Sequence, residues 1–504
     1  MSRILLLIVL LTWLALDAST PQFAAIRGAP ATGLFLGGFA LVLLFLGLWS
    51  RVLARHVGTG NLQQSLARFN LAMFWARAMV PAWFAVGVLL LDWHNTVITM
   101  LGRVRTWPVE LPGAILGTLP AFAAWMGLWW AQFPADRALR EQSLLLQLED
   151  GLPVHAPPGF WSYFIANLRL QLLFTAIPVA LILFLRDVAA IILWLGAGMD
   201  LRSARTGLAP ATAAAQVIEW LLVPLSAIIV FILAPEILRH VLLTQRLPDS
   251  PLRAKLETLC RSMKLRYRDI LLWRTGNNMG NAAVMGIVPR MRYILLSDLL
   301  METMTDEQIE AVFAHEAGHI VHRHMTWYVV FIMILMLWAL GPAQWLDNQL
   351  AGLLPARFNG TVRDLIWLVV LGAIMLKLFG LLSRFFERQA DVYAARTMQT
   401  QADASGGQVT ALSGSCVGRH GAAMFSSALE RVAVINNIPI RARNFSHGSI
   451  ADRLNFLRIL SRDPDRTGQF DRGMRIVFAT MLLALTVGAV WAGIVIWSQG
   501  LGGS

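Results

Sequence analysis

Long apolar stretches, parted by short polar joints, fill the first half of the chain and recur in the second. A hydrocarbon layer about 30 Å thick needs roughly 20 mostly apolar residues per helical crossing. Runs of that kind lie at 34–49, 71–91, 115–133, 170–195, 217–233, 325–345, 365–382 and 476–497. A shorter run, 4–16, follows Met1-Ser2-Arg3 without a small-x-small cleavage signal and reads as an uncleaved helix. The pattern changes after Pro248. Positions 252–265 have helical spacing and 270–273 reads as a short strand, followed by the turn-rich Thr275-Gly276-Asn277-Asn278. Positions 282–288 and 293–296 then read as two strands joined through Pro289-Arg290. Thr305-Asp306-Glu307-Gln308 has capping-box spacing, so a helix is predicted to start at Thr305 and run on through Ile309 and Phe313. Residues 401–421, rich in Gly, Ser and Ala, read as a mobile loop.

The expected fold is mainly α: polytopic membrane helices with an α+β domain that holds a small sheet. Residues 1–245 form a multi-span region without a catalytic constellation. Residues 246–475 form the second domain, interrupted by spans at about 325–345 and 365–382, and 476–504 is a C-terminal transmembrane helix.

Composition supports a bilayer, since 57% of the 504 residues are hydrophobic and 14% charged, against roughly 45–50% apolar in soluble domains. An integral, multi-pass membrane protein is expected. The net charge of +12 is spread over loops and span ends without a dense basic cluster interleaved with aromatics. That excludes a nucleic-acid partner and fits the lipid bilayer and its anionic headgroups. Arg51, Arg55 and Arg68 mark one connection as cytoplasmic, and Arg137, Arg140, Arg239, Arg246, Arg384, Arg388, Arg472 and Arg475 share that side if every run crosses. The N-terminus and the polar segments 239–324 and 384–475 are then cytoplasmic, and with them the candidate site. Cys260 and Cys416 are the only cysteines, which argues against a disulfide framework or a cysteine metal site.

The chemistry concentrates in His315-Glu316-Ala317-Gly318-His319. Histidines four apart share one helical face, so two imidazoles can grip one zinc with Glu316 beside them. Catalytic zinc takes three protein ligands and leaves a position open. Extension of the motif by Gly-x-x-His fails, because His322 and Met325 occupy those places. His322 and His324 read as interfacial residues at the start of the next span, with a supporting role behind the ligands as the alternative. Beyond the hairpin of spans, Glu387-Arg388-Gln389-Ala390-Asp391 returns to the same side, which makes Glu387 the candidate third ligand and Asp391 a group that orients a ligand or an Arg. The bland alternative is a surface ion-pair network of both acids with Arg384 and Arg388.

Residues 250–460 resemble the membrane zinc peptidases that include the type I CAAX prenyl proteases and the HtpX-type quality-control proteases. The resemblance is carried by His315 to Ile320 followed by His324, by Glu387 to Asp391, by Ser446-His447-Gly448-Ser449 with Arg453 six residues after His447, and by Asn281-Ala282 ahead of the hairpin. Gly448 stands where the family usually has Pro. The resemblance implies a zincin-like catalytic domain with one Zn2+ per chain held by His315, His319 and Glu387. It implies Glu316 as the base, and His447 and Arg453 near the scissile carbonyl.

The expected reaction is hydrolysis of peptide bonds in membrane-associated or unfolded proteins. Glu316 takes a proton from the attacking water and later returns it to the leaving amine, while His447 or Arg453 steadies the oxyanion. The polypeptide substrate is expected to add as a strand near Asn281-Val288. Two alternatives stand: the same chemistry with narrow CAAX-type specificity, and a metal-binding or transport protein. Transport sites usually lie near the bilayer midplane on broken helices, whereas this motif sits on a polar helix ahead of its span.

Overall fold

The computed structural model describes residues 26–57, 62–101, 110–149, 156–196, 213–277, 279–338, 361–405, 416–436 and 438–501, with 6, 8–10, 12, 13 and 349. The readings placed on most of 4–16, on Asn278, on 339–345 and on 406–415 fall outside these residues. The chain divides into two compact units, Met1–Thr244 with Trp273–Asn278, and Gln245–Leu272 with Met279–Ser504.

The first unit is helical: α1 (Gly28–His56), α2 (Leu62–Leu90), α3 (Trp93–Met100), α4 (Leu111–Glu149), α5 (Phe160–Asn167), α6 (Phe174–Gly196) and α7 (Ala213–Val241). A π-helical stretch, Leu168–Leu173, joins α5 to α6. In both units together five helical stretches among the described residues are long and apolar enough to cross a membrane: Gly28–His56, Gln64–Leu90, Leu111–Leu145, Phe160–Leu193 and Pro464–Ile494. The protein is accordingly a multi-pass integral membrane protein. Pro134 lies inside α4 and cannot donate to the helical ladder. Ser50 of α1 lies beside this proline: its Oγ accepts from Ala135 N at 3.1 Å and donates to Gln132 O at 3.3 Å. Asp187 of α6 accepts from the Glu110 and Leu111 N–H groups at 2.9–3.0 Å, filling the role of a cap at the start of α4. Arg186 pairs with that carboxylate at 3.0 Å, and both side chains are buried.

The second unit holds β1 (Thr244–Arg246), α8 (Pro251–Ser262), β2 (Asp269–Trp273), β3 (Ala282–Met285) and β4 (Tyr293–Ser297). It continues with α9 (Asp298–Thr303), α10 (Asp306–Val321), α11 (His324–Trp338), α12 (Thr361–Ser405), α13 (Arg419–Ile435), α14 (Ile450–Arg462) and α15 (Pro464–Leu501). The sheet order is β1-β2-β4-β3, so β3 is an edge strand. β3 and β4 run antiparallel, with Ala282 opposite Leu296 and Met285 opposite Tyr293. β3 is shorter than the expected 282–288, because Gly286 turns to φ +103° and Pro289–Met291 coils into a 3-10 turn. β1 was not expected; three polar residues carry no alternation to read. β4 is buried along its whole length, and its Ile294 and Leu296 join Ile309 and Phe313 of α10 and Ala394 and Ala395 of α12 in one core.

The capping box opens α10 as the sequence predicts: Thr305 Oγ1 accepts from Gln308 N, and the Gln308 side chain reaches back to Thr305 N. A 45° bend separates α10 from α11. α12 runs for 45 residues. Its first part carries the apolar run 365–382, and its later part buries Phe386, Ala390, Val392 and Met398 in the second unit.

Candidate metal centre

α10 and α12 meet at Gly318. A Cβ there would lie 3.0 Å from Ala390 Cα and 3.2 Å from Tyr393 Cβ, so the absence of a side chain sets how near α12 comes. That approach carries Glu387, one turn before Asp391, to the imidazoles of α10. His315 Nε2 and His319 Nε2 are 3.3 Å apart. Glu387 Oε2 is 3.5 Å from the former and Oε1 is 3.7 Å from the latter. The three donor atoms lie within 4.8 Å of one another, a spacing that could hold a metal ion.

Each candidate ligand is held from behind. His315 Nδ1 stands 3.0 Å from Asp391 Oδ1, off the hydrogen-bond axis, and the Phe425 ring stacks on its imidazole at 5.5 Å. Arg453 of α14 grips Asp391 with two donors, Nε at 2.8 Å and Nη2 at 2.5 Å. Its Nη2 also lies 3.6 Å from Glu387. His319 Nδ1 is 2.8 Å from His324 Nδ1, whose Nε2 is 2.9 Å from Gln389 Oε1. With Gln389 accepting from Nε2, His324 Nδ1 is left to accept from His319, which directs His319 Nε2 forward. His324 is thus a buried support, and the expectation of an interfacial residue is corrected. The break between α10 and α11 turns its ring back under the motif, where it stacks on Phe386 at 4.3 Å. His322 stacks on His324 at 5.8 Å and meets Tyr393 edge-on.

His447 comes from the turn before α14, where Asn444 and Gly448 exchange backbone hydrogen bonds of 2.9 and 3.0 Å. Gly448 has φ +73°, a left-handed conformation closed to Pro, so this turn depends on glycine. His447 Nδ1 lies 2.8 Å from Glu387 Oε1, and its side chain is 54% exposed. Glu316 also faces the cleft, and the backbone of Val284 on β3 hydrogen-bonds its carboxyl.

Burial raises the Glu316 carboxyl to about 7. Burial opposes protonation of His315, but Asp391 and Glu387 outweigh it and hold that imidazole at about 9. Burial and the neighbouring His315 push His319 down to about 3. Glu387, despite burial, is held well below the usual carboxylate range by His315, His447 and Arg453. An anionic carboxylate between two imidazoles is the donor set that zinc takes.

The sequence placed His315, Glu316, His319, Glu387, Asp391, His447 and Arg453 at the site, and the fold brings all seven to the same region. The ion-pair alternative does not describe Glu387 and Asp391, which face His315, His447 and Arg453. Gln389 and Phe425 were missed. Gln389 is a polar residue in a stretch of α12 whose neighbours are buried, a signal that periodicity could have raised; Phe425 lies in a helix with no link to the motif in sequence.

Residues 247–460 match the model of peptidase family M48. Over 159 residues the chain is 30% identical to a CAAX prenyl protease 1 homolog of Arabidopsis thaliana, covering 30% of this chain and 37% of that protein. A CAAX prenyl protease 1 homolog of Oryza sativa subsp. japonica is 28% identical over 92 residues, 18% of this chain and 22% of the relative. The match spans well under half the length of these curated relatives. The crystal structure of S. mikatae Ste24p aligns over 84% of this chain and 98% of its own, at 16% identity and a TM-score of 0.45.

Proposed function

Because residues 247–460 match the model of peptidase family M48, we propose that the chain is a membrane-embedded zinc metalloendopeptidase. His315, His319 and Glu387 hold one zinc ion, and Glu316 is the base. The observation that carries this reading is the convergence of His315 Nε2, His319 Nε2 and the Glu387 carboxylate within 3.3–3.7 Å of one another, with Glu316 half-buried alongside. Zinc, when bound, supplies Lewis acidity that polarises a scissile carbonyl and acidifies water.

The chain's own residues supply the rest. Glu316, poised near neutrality, takes a proton from the attacking water and delivers it to the departing amine. His447, half-exposed beside Glu387, donates to the developing oxyanion. Arg453 has two donors committed to Asp391, so both act as positioning groups that keep His315 and Glu387 aimed forward. The polypeptide substrate adds as a strand to the free edge of β3, next to Asn281, where backbone pairing accepts many sequences. Glu316 meets that edge at Val284. Membrane-associated or unfolded proteins fit such an edge, and the Arg distribution favours the cytoplasmic side for the site.

The names of the two curated relatives favour a second, narrower reading, cleavage of a CAAX-type prenylated C-terminal peptide. Purified wild type and Glu316→Gln, each assayed for bound zinc and for cleavage of casein and of a prenylated peptide, separate these readings. The proposal expects equal zinc in both and a loss of cleavage of about 100-fold or more in the variant. Equal cleavage by the two proteins would overturn the role of Glu316. Cleavage of the prenylated peptide alone would select the narrow reading.

A further inference from the structure

A cavity of about 1110 Å³ opens over β3 and the metal centre. One end of it is strongly basic. Resting on the peptidase reading above, we propose that Lys264, Arg266 and Arg292 form a subsite that selects acidic residues of the substrate on one side of the scissile bond.

Lys264 and Arg266 come from the turn that ends α8. Lys264 takes φ +52°, and hydrogen bonds from Lys264 N to Arg261 O at 3.1 Å and from Leu265 N to Cys260 O at 2.9 Å fix the turn. Both side chains are exposed, line the cavity and form no ion pair among the described residues. Arg292 ties this turn to the end of the edge strand. Its Nη1 donates to Arg266 O at 2.9 Å, its Nε to Gly286 O at 3.2 Å and its Nη2 to Ile287 O at 2.6 Å. Carbonyls satisfy its donors but do not neutralise its charge. Burial alone pushes the guanidinium down, with no carboxylate to offset it.

Among the described residues the carboxylates that line the cavity are Glu316 and Glu387, both at its metal end. The acids nearest the basic turn in sequence, Glu257 and Asp269, are engaged by Arg253 at 2.8 and 2.7 Å. Three positive charges therefore stand uncompensated where β3 ends.

The strand gives this patch a register. Glu316 sits at Val284, β3 ends at Met285, and Arg292 holds the carbonyls of Gly286 and Ile287. At about 3.3 Å per residue, a peptide paired along β3 brings side chains roughly two to four residues from the scissile bond over these cations. An Asp or Glu there gains charge-assisted hydrogen bonds, while a Lys or Arg meets like charge. Basic residues near a membrane also attract anionic lipid headgroups, so the test separates the two sources of negative charge.

The full-length, zinc-loaded protein is assayed in detergent, in phosphatidylcholine nanodiscs, and in nanodiscs that also contain phosphatidylglycerol. The substrates are quenched peptides of one scissile sequence, with Ala, Glu or Lys placed in turn at each nearby position on either side. Glu is expected to raise kcat/KM about three- to tenfold over Ala, and Lys to lower it, on one side only and in all three settings. The preference shrinks in high salt. The double variant Lys264→Glu/Arg266→Glu reverses the order of Glu and Lys peptides while its zinc content and Tm stay at the wild-type values. Lys264→Arg keeps the wild-type order. Equal rates for Glu and Lys peptides while the Ala peptide is cut would overturn the subsite. So would a preference that survives charge reversal, or one that depends on phosphatidylglycerol. Cleavage of no peptide, the prenylated peptide and casein included, by the zinc-loaded protein would overturn the peptidase reading itself, and the subsite with it.

Discussion

The two units meet the same physical demand, that buried polar groups find partners, in opposite ways. In the first unit several polar groups close on each other: Ser50 bonds α4 beside Pro134, the Gln132 amide donates to the Tyr163 hydroxyl, and Asp187 holds both Arg186 and the start of α4. In the second unit the polar groups are braced at the back and open at the front. Asp391, Arg453, His324 and Gln389 take up the rear atoms, leaving the forward atoms of His315, His319 and Glu387 aimed at one point. A closed network stabilises, whereas a network with an open front is arranged to receive something.

Removing one member of a buried ion pair in each unit tests that contrast most strongly. Arg453→Ala leaves Asp391 with His315 alone and is expected to cost about 3–5 kcal/mol of stability, seen as a fall in Tm, whereas Asp187→Ala leaves Arg186 its pair with Glu110 at 3.0 Å and costs less. Only Arg453→Ala should also weaken zinc binding. Equal zinc affinity in both variants would erase the distinction between closed and open networks.

His324→Ala sharpens the contrast at one bond. Without the acceptor at His319 Nδ1, zinc affinity is expected to fall about 10- to 100-fold, beside a fall in Tm from the lost stacking on Phe386 and the unpaired Gln389. An unchanged affinity in a chelator competition would remove His324 from the support of the site.

A smaller effect follows from protons. In the metal-free site His315 is raised from its ordinary 6.5 to about 9, so at pH 7 it carries a proton that zinc must displace. The sign is fixed: affinity rises with pH up to about 9, by about tenfold per unit for one proton released. Chelator competition between about pH 6 and 8.5 reads the slope. A flat response would show that His315 is already neutral when empty.

Much of the second unit was legible because its signals are local. The capping box, the polar helix carrying His315 and His319, and the β3–β4 hairpin each depend on residues within a few positions. Glu387 became legible only by following the chain across two spans and back. What the sequence concealed depends on tertiary approach: the packing of Gly318 on Ala390 that sets the reach of α12, and the bend after Val321 that returns His324 under His319. The first unit was legible as apolar runs and little more, because uniform hydrophobicity leaves no periodicity to distinguish the face of α4 that meets Ser50 from the face that meets lipid.

The most direct test of the metal centre is the zinc content of Glu387→Ala beside wild type, by elemental analysis of protein purified in detergent. The convergence of His315, His319 and Glu387 predicts one zinc per wild-type chain and a sharp loss in the variant. Full zinc occupancy in Glu387→Ala would contradict the assignment of Glu387 as the third ligand.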